Sequence, residues 1–187
     1  MMAVQLVRHR FTVDDYQQMG AAGILRDDDR VELIDGEVIR MTPIGPRHGV
    51  RVARLDDWFH SLLRHLAVIW VQSSIRLGRH HEPQPDLVLL RPPLAPYETR
   101  LPGPEDVLLL VEVADTSLAY DSGVKLPLYA AAGIPEVWIV DVEGDAVEVH
   151  RTPTATGYAD SRRVARGEHL TPQAFPDLRL PVDDLLG

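Results

Sequence analysis

The stretch VLLLVEVADTSLAYDSGVKLPLYAAAGIPEVWIVDV, residues 107–142, decides the fold of this chain. Its first part, residues 107–113, is an apolar run interrupted only by Glu112, which is typical of a strand buried on both faces of a mixed or parallel sheet. A carboxylate near the end of such a strand costs free energy unless a metal, a hydrogen-bond donor or a cation meets it. Glu112 is therefore a candidate functional side chain.

A short helix is predicted after this strand. Residues 114–122 indicate a polar turn, and the helical pattern that follows ends at Gly133, where a helix would be capped. Proline is tolerated only in the first turn of a helix, so Pro127 predicts a start at residue 123 or 124. This start places Lys125 at the opening of the helix, pointing back toward the end of the strand.

Lys125 is the only lysine in the protein, since every other member of the 19 Lys and Arg residues is arginine. Lysine carries a compact, strongly hydrated charge, and its pKa shifts readily on burial, whereas arginine stays charged. We interpret Lys125 as a functional residue. The alternative is a solvated surface lysine that is present by chance.

Length and composition limit the class of protein. The 187 residues, 45% hydrophobic and 25% charged, suit a single domain spanning residues 1–187. There is no cysteine, which excludes disulfides and thiolate metal sites. No apolar stretch reaches the roughly 18 residues that a membrane span needs, and residues 1–12 lack the apolar core of a signal peptide. We therefore expect a cytoplasmic protein that does not interact with membranes.

The net charge of -9 argues against binding of nucleic acid by bulk electrostatics. It permits a local basic face. Arginines gather in two groups, which are Arg47, Arg51 and Arg54, and Arg76, Arg79 and Arg91.

Residues 30–41, RVELIDGEVIRM, predict a β-hairpin because Asp-Gly at residues 35–36 is a strong signal for a two-residue turn. In the resulting register the alternation of side chains puts Glu32 and Glu37 on the same face. A solvated face is the preferred interpretation for Glu37. For Glu32, a solvated position and a position in a functional site both stay open.

A long amphipathic helix is predicted over residues 48–66, after a break at residues 43–46. His48 falls in its first turn, where its ring can reach a neighbouring site, although a histidine at a helix start more often makes a simple polar contact. The apolar stripe of this helix consists of Val52, Leu55, Phe59, Leu62 and Leu66.

A second candidate carboxylate follows a predicted strand at residues 68–77. Asp86 begins the next predicted strand, residues 87–90. Between them, residues 78–82, GRHHE, suggest a metal site at first sight. Adjacent side chains of an extended segment point apart, however, and the spacing matches no helical ligand motif. We interpret this segment as a solvated loop.

The order of Asp86, Glu112 and Lys125 along the chain resembles the PD-(D/E)XK nuclease superfamily, and within it the Uma family of restriction-endonuclease-like proteins. The resemblance covers roughly residues 10–185, and its most specific part is the run of residues 121–141. The other residues that carry it are Glu32 to Glu37, His48, Pro85, Val111, Val113, Asp121, residues 126–129 (LPLY), residues 132–136 (AGIPE) and residues 138–141 (WIVD).

The resemblance implies an α/β fold with a restriction-endonuclease-like core, in which helices flank a central mixed β-sheet, with an N-terminal β-hairpin. We expect the central sheet to carry this hairpin together with the Asp86 and Glu112 strands. It also implies a Mg²⁺ site, with Mn²⁺ as a substitute, because Mg²⁺ prefers carboxylate oxygens together with water and phosphate. Asp86 and Glu112 would supply the carboxylates, and the carbonyl of Val113 a neutral oxygen. Lys125 would position the attacking water or neutralise developing charge, and Glu32 would complete the metal site or support it. We expect the Lys125 ammonium to lie between the carboxylates of Asp86 and Glu112, because a cation there offsets their mutual repulsion.

His48, Asp121 and Tyr129 are implied to hold these groups in place. The chain departs from the superfamily pattern at Ala114, since the usual lysine lies two residues after the acid. Only Lys125, reaching back from its helix as the Uma pattern implies, completes the constellation.

Two functions are open. The first is a metal-dependent endonuclease acting on the phosphodiester bonds of DNA, which the acid–lysine set favours. The second is a catalytically inactive nuclease-fold module that binds nucleic acid or a protein partner, which the net charge of -9 favours. Cleavage of both strands of a duplex needs two sites, so we expect a homodimer, with Trp58 and Trp70 near the long helix as apolar contacts.

Overall fold

A six-stranded mixed sheet forms the centre of the protein. The structure is a computed structural model and describes residues 8–26 and 28–187. Most of the N-terminal segment that was considered for a signal peptide lies outside the described residues. The strands are β1 (Val31–Ile34), β2 (Glu37–Arg40), β3 (Val68–Val71), β4 (Leu87–Leu90), β5 (Val107–Ala114), β6 (Glu136–Asp141), β7 (Ala146–Thr154), β8 (Gly157–Ala165), β9 (His169–Leu170) and β10 (Leu180–Pro181).

Helices cover the sheet and fill the connections. They are α1 (Val13–Ala21), α2 (Pro46–Leu63), α3 (Leu118–Tyr120), α4 (Leu126–Ala131) and α5 (Val182–Leu186), with a π turn (Asp121–Lys125) between α3 and α4. None of the helices within residues 8–26 and 28–187 combines the length and the apolar character needed to cross a membrane.

The strands of the central sheet run in the order β3-β4-β5-β6-β7-β8. β5 and β6 pair in parallel, whereas the other neighbours pair antiparallel. A parallel pair needs a long crossover, and α3, the π turn and α4 provide it. This arrangement confirms the predicted α/β class and the central mixed sheet flanked by helices.

Side chains of β5 alternate between the two faces of the sheet. Leu109, Val111 and Val113 belong to the apolar core beneath α2. Leu110 and Ala114 belong to the core on the opposite face, together with Tyr129 of α4. Glu112 lies between Leu110 and Ala114 on the same face of β5, so its side chain points to the side of the sheet that α4 covers.

The stripe predicted on the long helix is correct over its first three positions and wrong in the last turn. Val52, Leu55 and Phe59 are buried, and Leu63 is buried with them. Leu62 and Leu66 are exposed, because the helix ends at Leu63 and the i, i+4 spacing from Phe59 selects that residue.

The hairpin forms with its predicted turn and register, in which Glu32 is opposite Ile39. Asp35 and Gly36 both have positive φ, 53° and 74°, as a two-residue hairpin turn requires. The expectation that the hairpin belongs to the central sheet is wrong. β1 and β2 form a separate two-stranded sheet, attached through the backbone pairing of Leu33 with Glu82.

Two predicted boundaries differ from the structure. The helix that carries Lys125 begins at Leu118, because residues 118–122, predicted as a turn, are helical. The strand predicted over residues 68–77 ends at Val71, because Gln72 has a φ of 42° and turns the chain out of the strand conformation. The predicted stop at Gly133 is confirmed, since its φ is 83° and the N–H of Ile134 donates to the carbonyl of Tyr129.

Candidate active site

Glu112 and Lys125 form a buried ion pair beneath the crossover. The Lys125 ammonium donates to Oε1 of Glu112 at 3.1 Å, and both side chains are almost fully enclosed. The hydroxyl of Tyr129, on α4, donates to the same oxygen. The buried position of Lys125 excludes the interpretation of this residue as a solvated surface lysine.

Burial and charge shift both partners of this pair. Burial raises the pKa of Glu112 to about 8, with further increases from the negative charges of Asp121 and Asp86 and an opposing decrease from Lys125. For Lys125, burial disfavours the charged form, but Glu112 and Glu32 outweigh it and raise the pKa above its ordinary value. The ammonium is therefore charged, and the carboxyl groups around it outnumber it, which favours the protonated form of Glu112.

Glu32 is the second carboxylate held by Lys125, at 3.2 Å from the ammonium nitrogen. The backbone N–H of Gln84 and the hydroxyl of Tyr120 also donate to Glu32, at 3.2 and 3.0 Å. Of the two interpretations left open for Glu32, the structure excludes the solvated position, because the side chain is buried beside Lys125. Glu37, on the other strand, is exposed and pairs with Arg8.

Asp86 lies at the start of β4, beside Glu112. The register pairs Leu87 with Val111, which places Asp86 next to Glu112 on the adjacent strand. Lys125 was expected to lie between these two carboxylates. It contacts Glu112, but Glu32 takes the second position, and no ion pair joins Lys125 to Asp86 among the described residues.

Three groups orient Asp86 instead of the lysine. Its Oδ2 accepts the backbone N–H of Val113 at 2.8 Å and is 3.0 Å from Nε2 of His48. Its Oδ1 is 3.3 Å from the side-chain amide nitrogen of Gln72. His48 therefore makes the contact with the site that its position in the first turn of α2 permits, and its other ring nitrogen, Nδ1, is buried without a hydrogen bond from the described residues.

The π turn brings Asp121 and Lys125 into the site together, and both are buried. Ser117 donates a hydrogen bond to Asp121. Burial raises the pKa of Asp121, and the neighbouring carboxylates Asp86 and Glu32 raise it further. No hydrogen bond or ion pair joins Asp121 to Lys125 in the described structure. Asp121 therefore acts on the lysine only through its nearby charge.

Sequence reasoning missed four members of the site: Gln72, Gln84, Ser117 and Tyr120. Extending the helical phase backward from Lys125 would have indicated Tyr120, whose ring centroid is 5.9 Å from the lysine nitrogen. Gln84 contributes its backbone N–H, and the left-handed turn at Gln72 places the side chain of that residue beside Asp86. Neither feature can be recognised from the residue type. Residues 78–82 were predicted to be a solvated loop. That prediction is wrong for Glu82, which is buried and accepts hydrogen bonds from Gln17.

The acidic residues open onto a cavity of about 550 Å³. Its floor consists of Glu32, Asp86, Glu112, Asp121 and Lys125. Its rim is formed by the open end of the hairpin, the segment of residues 41–45 and the first turn of α2. Such a depression, lined by groups with shifted pKa values, is the arrangement expected of an active site.

The donor set fits a divalent cation. Oε1 of Glu112 receives both described hydrogen bonds, so Oε2 has no described partner, and Glu112 lines the same cavity as Asp86. Four carboxyl groups and one ammonium line the cavity, and a divalent cation would favour the charged forms of Glu112 and Asp121, whose pKa values are raised without it. Within residues 8–26 and 28–187, no group of three His, Cys, Asp or Glu side chains is placed so that it could hold one metal ion without further ligands. Mg²⁺ needs only one or two carboxylates together with water and phosphate oxygens.

The comparisons with known proteins agree with this fold. A family model described as "Uma2: Putative restriction endonuclease" matches residues 13–183. A crystal structure from Anabaena variabilis, described as "a putative nuclease belonging to DUF820", has a TM-score of 0.72 and 17% sequence identity to this chain. The alignment covers 94% of this chain and 97% of that chain, and at this identity it shows a shared fold. No curated protein matches the chain.

Proposed function

We propose, from the premise that the chain belongs to the Uma2 family described as "Putative restriction endonuclease", that it is a metal-dependent endonuclease hydrolysing the phosphodiester bonds of DNA. One observation carries the proposal. A single buried lysine is held between Glu112 and Glu32 at the floor of a cavity that Asp86 also lines. A scaffold gains nothing from burying this set of charges, whereas hydrolysis of an anionic ester uses each of them.

Asp86 and Glu112, with the carbonyl of Val113, would hold Mg²⁺ or, in its place, Mn²⁺. A bound ion of this kind lowers the pKa of a bound water and offsets charge on phosphoryl oxygens. His48 and the N–H of Val113 fix the orientation of Asp86. Tyr129 fixes that of Glu112.

Lys125 provides the positive charge of the protein itself. Glu32 and Glu112 hold its ammonium in one position, from which it orients the attacking water or stabilises charge on the phosphoryl group. In the reaction a bond forms between the water oxygen and phosphorus, and the bond between phosphorus and the leaving sugar oxygen breaks. The proton lost by the water goes to solvent, and the leaving oxygen takes up a proton.

The second candidate is a catalytically inactive module that binds nucleic acid or a protein partner. The net charge of -9 favours it, because a nuclease approaches a polyanion more readily with a basic surface. The two candidates differ in their requirement for a metal. Stabilisation by Mg²⁺ or Mn²⁺ that is lost in Asp86→Ala supports the nuclease.

The test of the proposal is hydrolysis of supercoiled plasmid, linear duplex and single-stranded DNA, each with Mg²⁺, with Mn²⁺ and with EDTA. Asp86→Asn removes a proposed ligand charge with little change in shape and is the matched variant. Cleavage by the parent that is absent with EDTA and in Asp86→Asn is the expected result. A parent that cleaves none of these substrates with either metal is not the proposed enzyme.

We also propose a homodimer acting in the cytoplasm, because two-fold symmetry supplies one site for each strand of a duplex. The two tryptophans named as apolar contacts for a dimer are partly buried. Trp58 and Trp70 each pack partly into the core of their own chain. Light scattering at micromolar concentration tests the assembly, and a monomeric mass contradicts it.

A further inference from the structure

The rim of the active-site cavity carries positive charge above an acidic floor. Arg30 and Arg40 belong to the open end of the hairpin, and both line the cavity. The described residues provide no ion-pair partner within 4.0 Å for either guanidinium. At the turn end of the same hairpin, by contrast, Arg8 pairs with Glu37 and Arg10 pairs with Asp35.

Arg30 is placed to reach a ligand in the cavity. It precedes Glu32 by two residues, so the alternation of an extended chain directs both side chains to the same side of the hairpin. Its Nη1 rests 3.5 Å from the carbonyl oxygen of Thr42, which lines the cavity. The head group of Arg30 thus lies at the mouth, and its remaining donors have no described partner.

Arg40 lies on the second strand opposite Val31, so its side chain leaves the hairpin on the face opposite to that of Glu32 and Arg30, and it also lines the cavity. It is exposed, and no described hydrogen bond or ion pair holds its side chain. An exposed guanidinium that has no partner among the described residues is available to bind an anion.

The acidic floor makes these cations necessary for a polyanionic substrate. Glu32, Asp86, Glu112 and Asp121 repel a phosphate, and the protein as a whole carries a net charge of -9. Attraction must therefore come from local cations at the mouth. Guanidinium groups bind phosphate with two parallel hydrogen bonds, which adds orientation to attraction.

We infer that Arg30 and Arg40 bind phosphate groups that flank the scissile one, so that the open end of the hairpin positions a DNA strand over the cavity. The inference rests on the proposed function and narrows its substrate class. The substrate is a strand with phosphates beyond the bond to be cut, and the hairpin supplies both a site carboxylate, Glu32, and the grip on that strand.

Binding of a fluorescent DNA duplex of about 20 base pairs, in Ca²⁺ to suppress cleavage, tests this inference. Arg30→Gln and Arg40→Gln should each weaken binding about tenfold, as expected for a lost charge-assisted hydrogen bond. The double variant should also reduce the slope of log K against log[salt] by about two, since each phosphate contact contributes about 0.9. Arg30→Lys keeps the charge and should restore most of the slope.

Arg64→Gln is the matched control, because it removes the same charge from an exposed position about 24 Å along the axis of α2 from His48, at 1.5 Å for each residue. Thermal melting verifies the fold of each variant. If the double variant binds DNA as Arg64→Gln does, the inference is wrong, while cleavage by the parent still supports the proposed function. If the parent binds DNA through these arginines but cleaves none, the proposed function fails and the inference stands.

Discussion

Two buried carboxylates on neighbouring parallel strands have different surroundings. Glu112 lies near the end of β5 and pairs with Lys125 at 3.1 Å, whereas Glu136 begins β6 and pairs with Arg151 at 2.7 Å. Both oxygens of Glu136 are engaged. Oε1 accepts from Trp138 and twice from Arg151, and Oε2 accepts from the backbone N–H of Gln173 at 2.6 Å.

We interpret the difference as that between a structural ion pair and the ion pair of the proposed active site. Glu136 is satisfied by donors of the protein and fastens the segment around Gln173 to the sheet, so it has no capacity left for a ligand. Glu112 uses one oxygen and lies among further carboxyl groups that outnumber the one ammonium. An oxygen without a described partner, on a residue that lines a cavity, supports the proposed metal site.

Replacing each cation by the other type, Lys125→Arg and Arg151→Lys, should produce the largest difference in hydrolysis between the two regions. Lys125→Arg keeps the charge but replaces a compact ammonium with a larger planar group, and we expect hydrolysis to fall about a thousandfold, comparable with removal of a group that stabilises the transition state. Folding and metal binding should survive. The measurement is single-turnover cleavage of DNA.

Arg151→Lys is the reciprocal control, and per folded molecule it should cleave as the parent does. If Lys125→Arg retains the activity of the parent, the catalytic assignment of this lysine is wrong.

Arg151→Met should have the next largest effect, and it should be on stability. It leaves Glu136 buried without its cation, which typically costs about 3 kcal/mol of unfolding free energy or more. Urea unfolding followed by fluorescence of the tryptophans measures this loss. An unchanged midpoint would show that the Glu136 pair is not the structural element that its hydrogen bonds indicate.

Saturating Mg²⁺ should increase the free energy of unfolding, and the increase should depend on the region of Asp86 and Glu112 and not on that of Glu136. At a Mg²⁺ concentration one hundred times Kd, linkage gives about 2.7 kcal/mol. Asp86→Ala should lose this gain, while Glu136→Gln, although less stable, should keep it. Differential scanning calorimetry with and without Mg²⁺ measures both. A gain that persists in Asp86→Ala places the metal elsewhere.

The dependence of stability on pH should also distinguish the two regions. The folded protein raises the pKa of Glu112 from 4.5 to about 8, because burial disfavours the charged carboxylate. Its contribution to stability is therefore complete below pH 4.5 and is lost as the pH rises toward 8. Without metal we expect the free energy of unfolding to fall as the pH rises through this window.

Glu112→Gln should flatten this part of the stability profile, because glutamine does not titrate. The matching change on the other strand, Glu136→Gln, should leave it in place. Urea unfolding at several pH values with EDTA measures both profiles. A decline of equal size in Glu112→Gln would assign the titration to another group.

Much of the fold follows from local patterns in the chain. The apolar run of β5, the Asp-Gly turn at residues 35–36 and Gly133 after α4 each predicted an element that the structure contains. Their signals are strong because burial on two faces and positive φ restrict the residue types allowed. The separate sheet of the hairpin was not predictable in this way, since it depends on backbone pairing between Leu33 and Glu82, which are distant in sequence.

The candidate site shows the same division. Asp86, Glu112 and Lys125 stand out by residue type and by position at strand ends. The partner of the lysine does not, because the choice of Glu32 over Asp86 depends on how the hairpin docks against residues 80–84. The hydrogen bonds that satisfy both oxygens of Glu136 could not be predicted from the sequence either, since their donors include residues of β7 and of the loop at Gln173. Sequence indicates which charges are buried, and tertiary structure decides which remain unbalanced.

The most direct test is plasmid cleavage per folded molecule by Glu112→Gln and Glu136→Gln, measured side by side with Mg²⁺. Each variant removes one buried carboxylate charge from neighbouring strands of the same sheet and conserves the size of the side chain. We predict that Glu112→Gln abolishes cleavage with little loss of stability, and that Glu136→Gln lowers stability and cleaves as the parent does. Parental cleavage by Glu112→Gln, or loss of cleavage in well-folded Glu136→Gln, would contradict the division between a functional and a structural carboxylate.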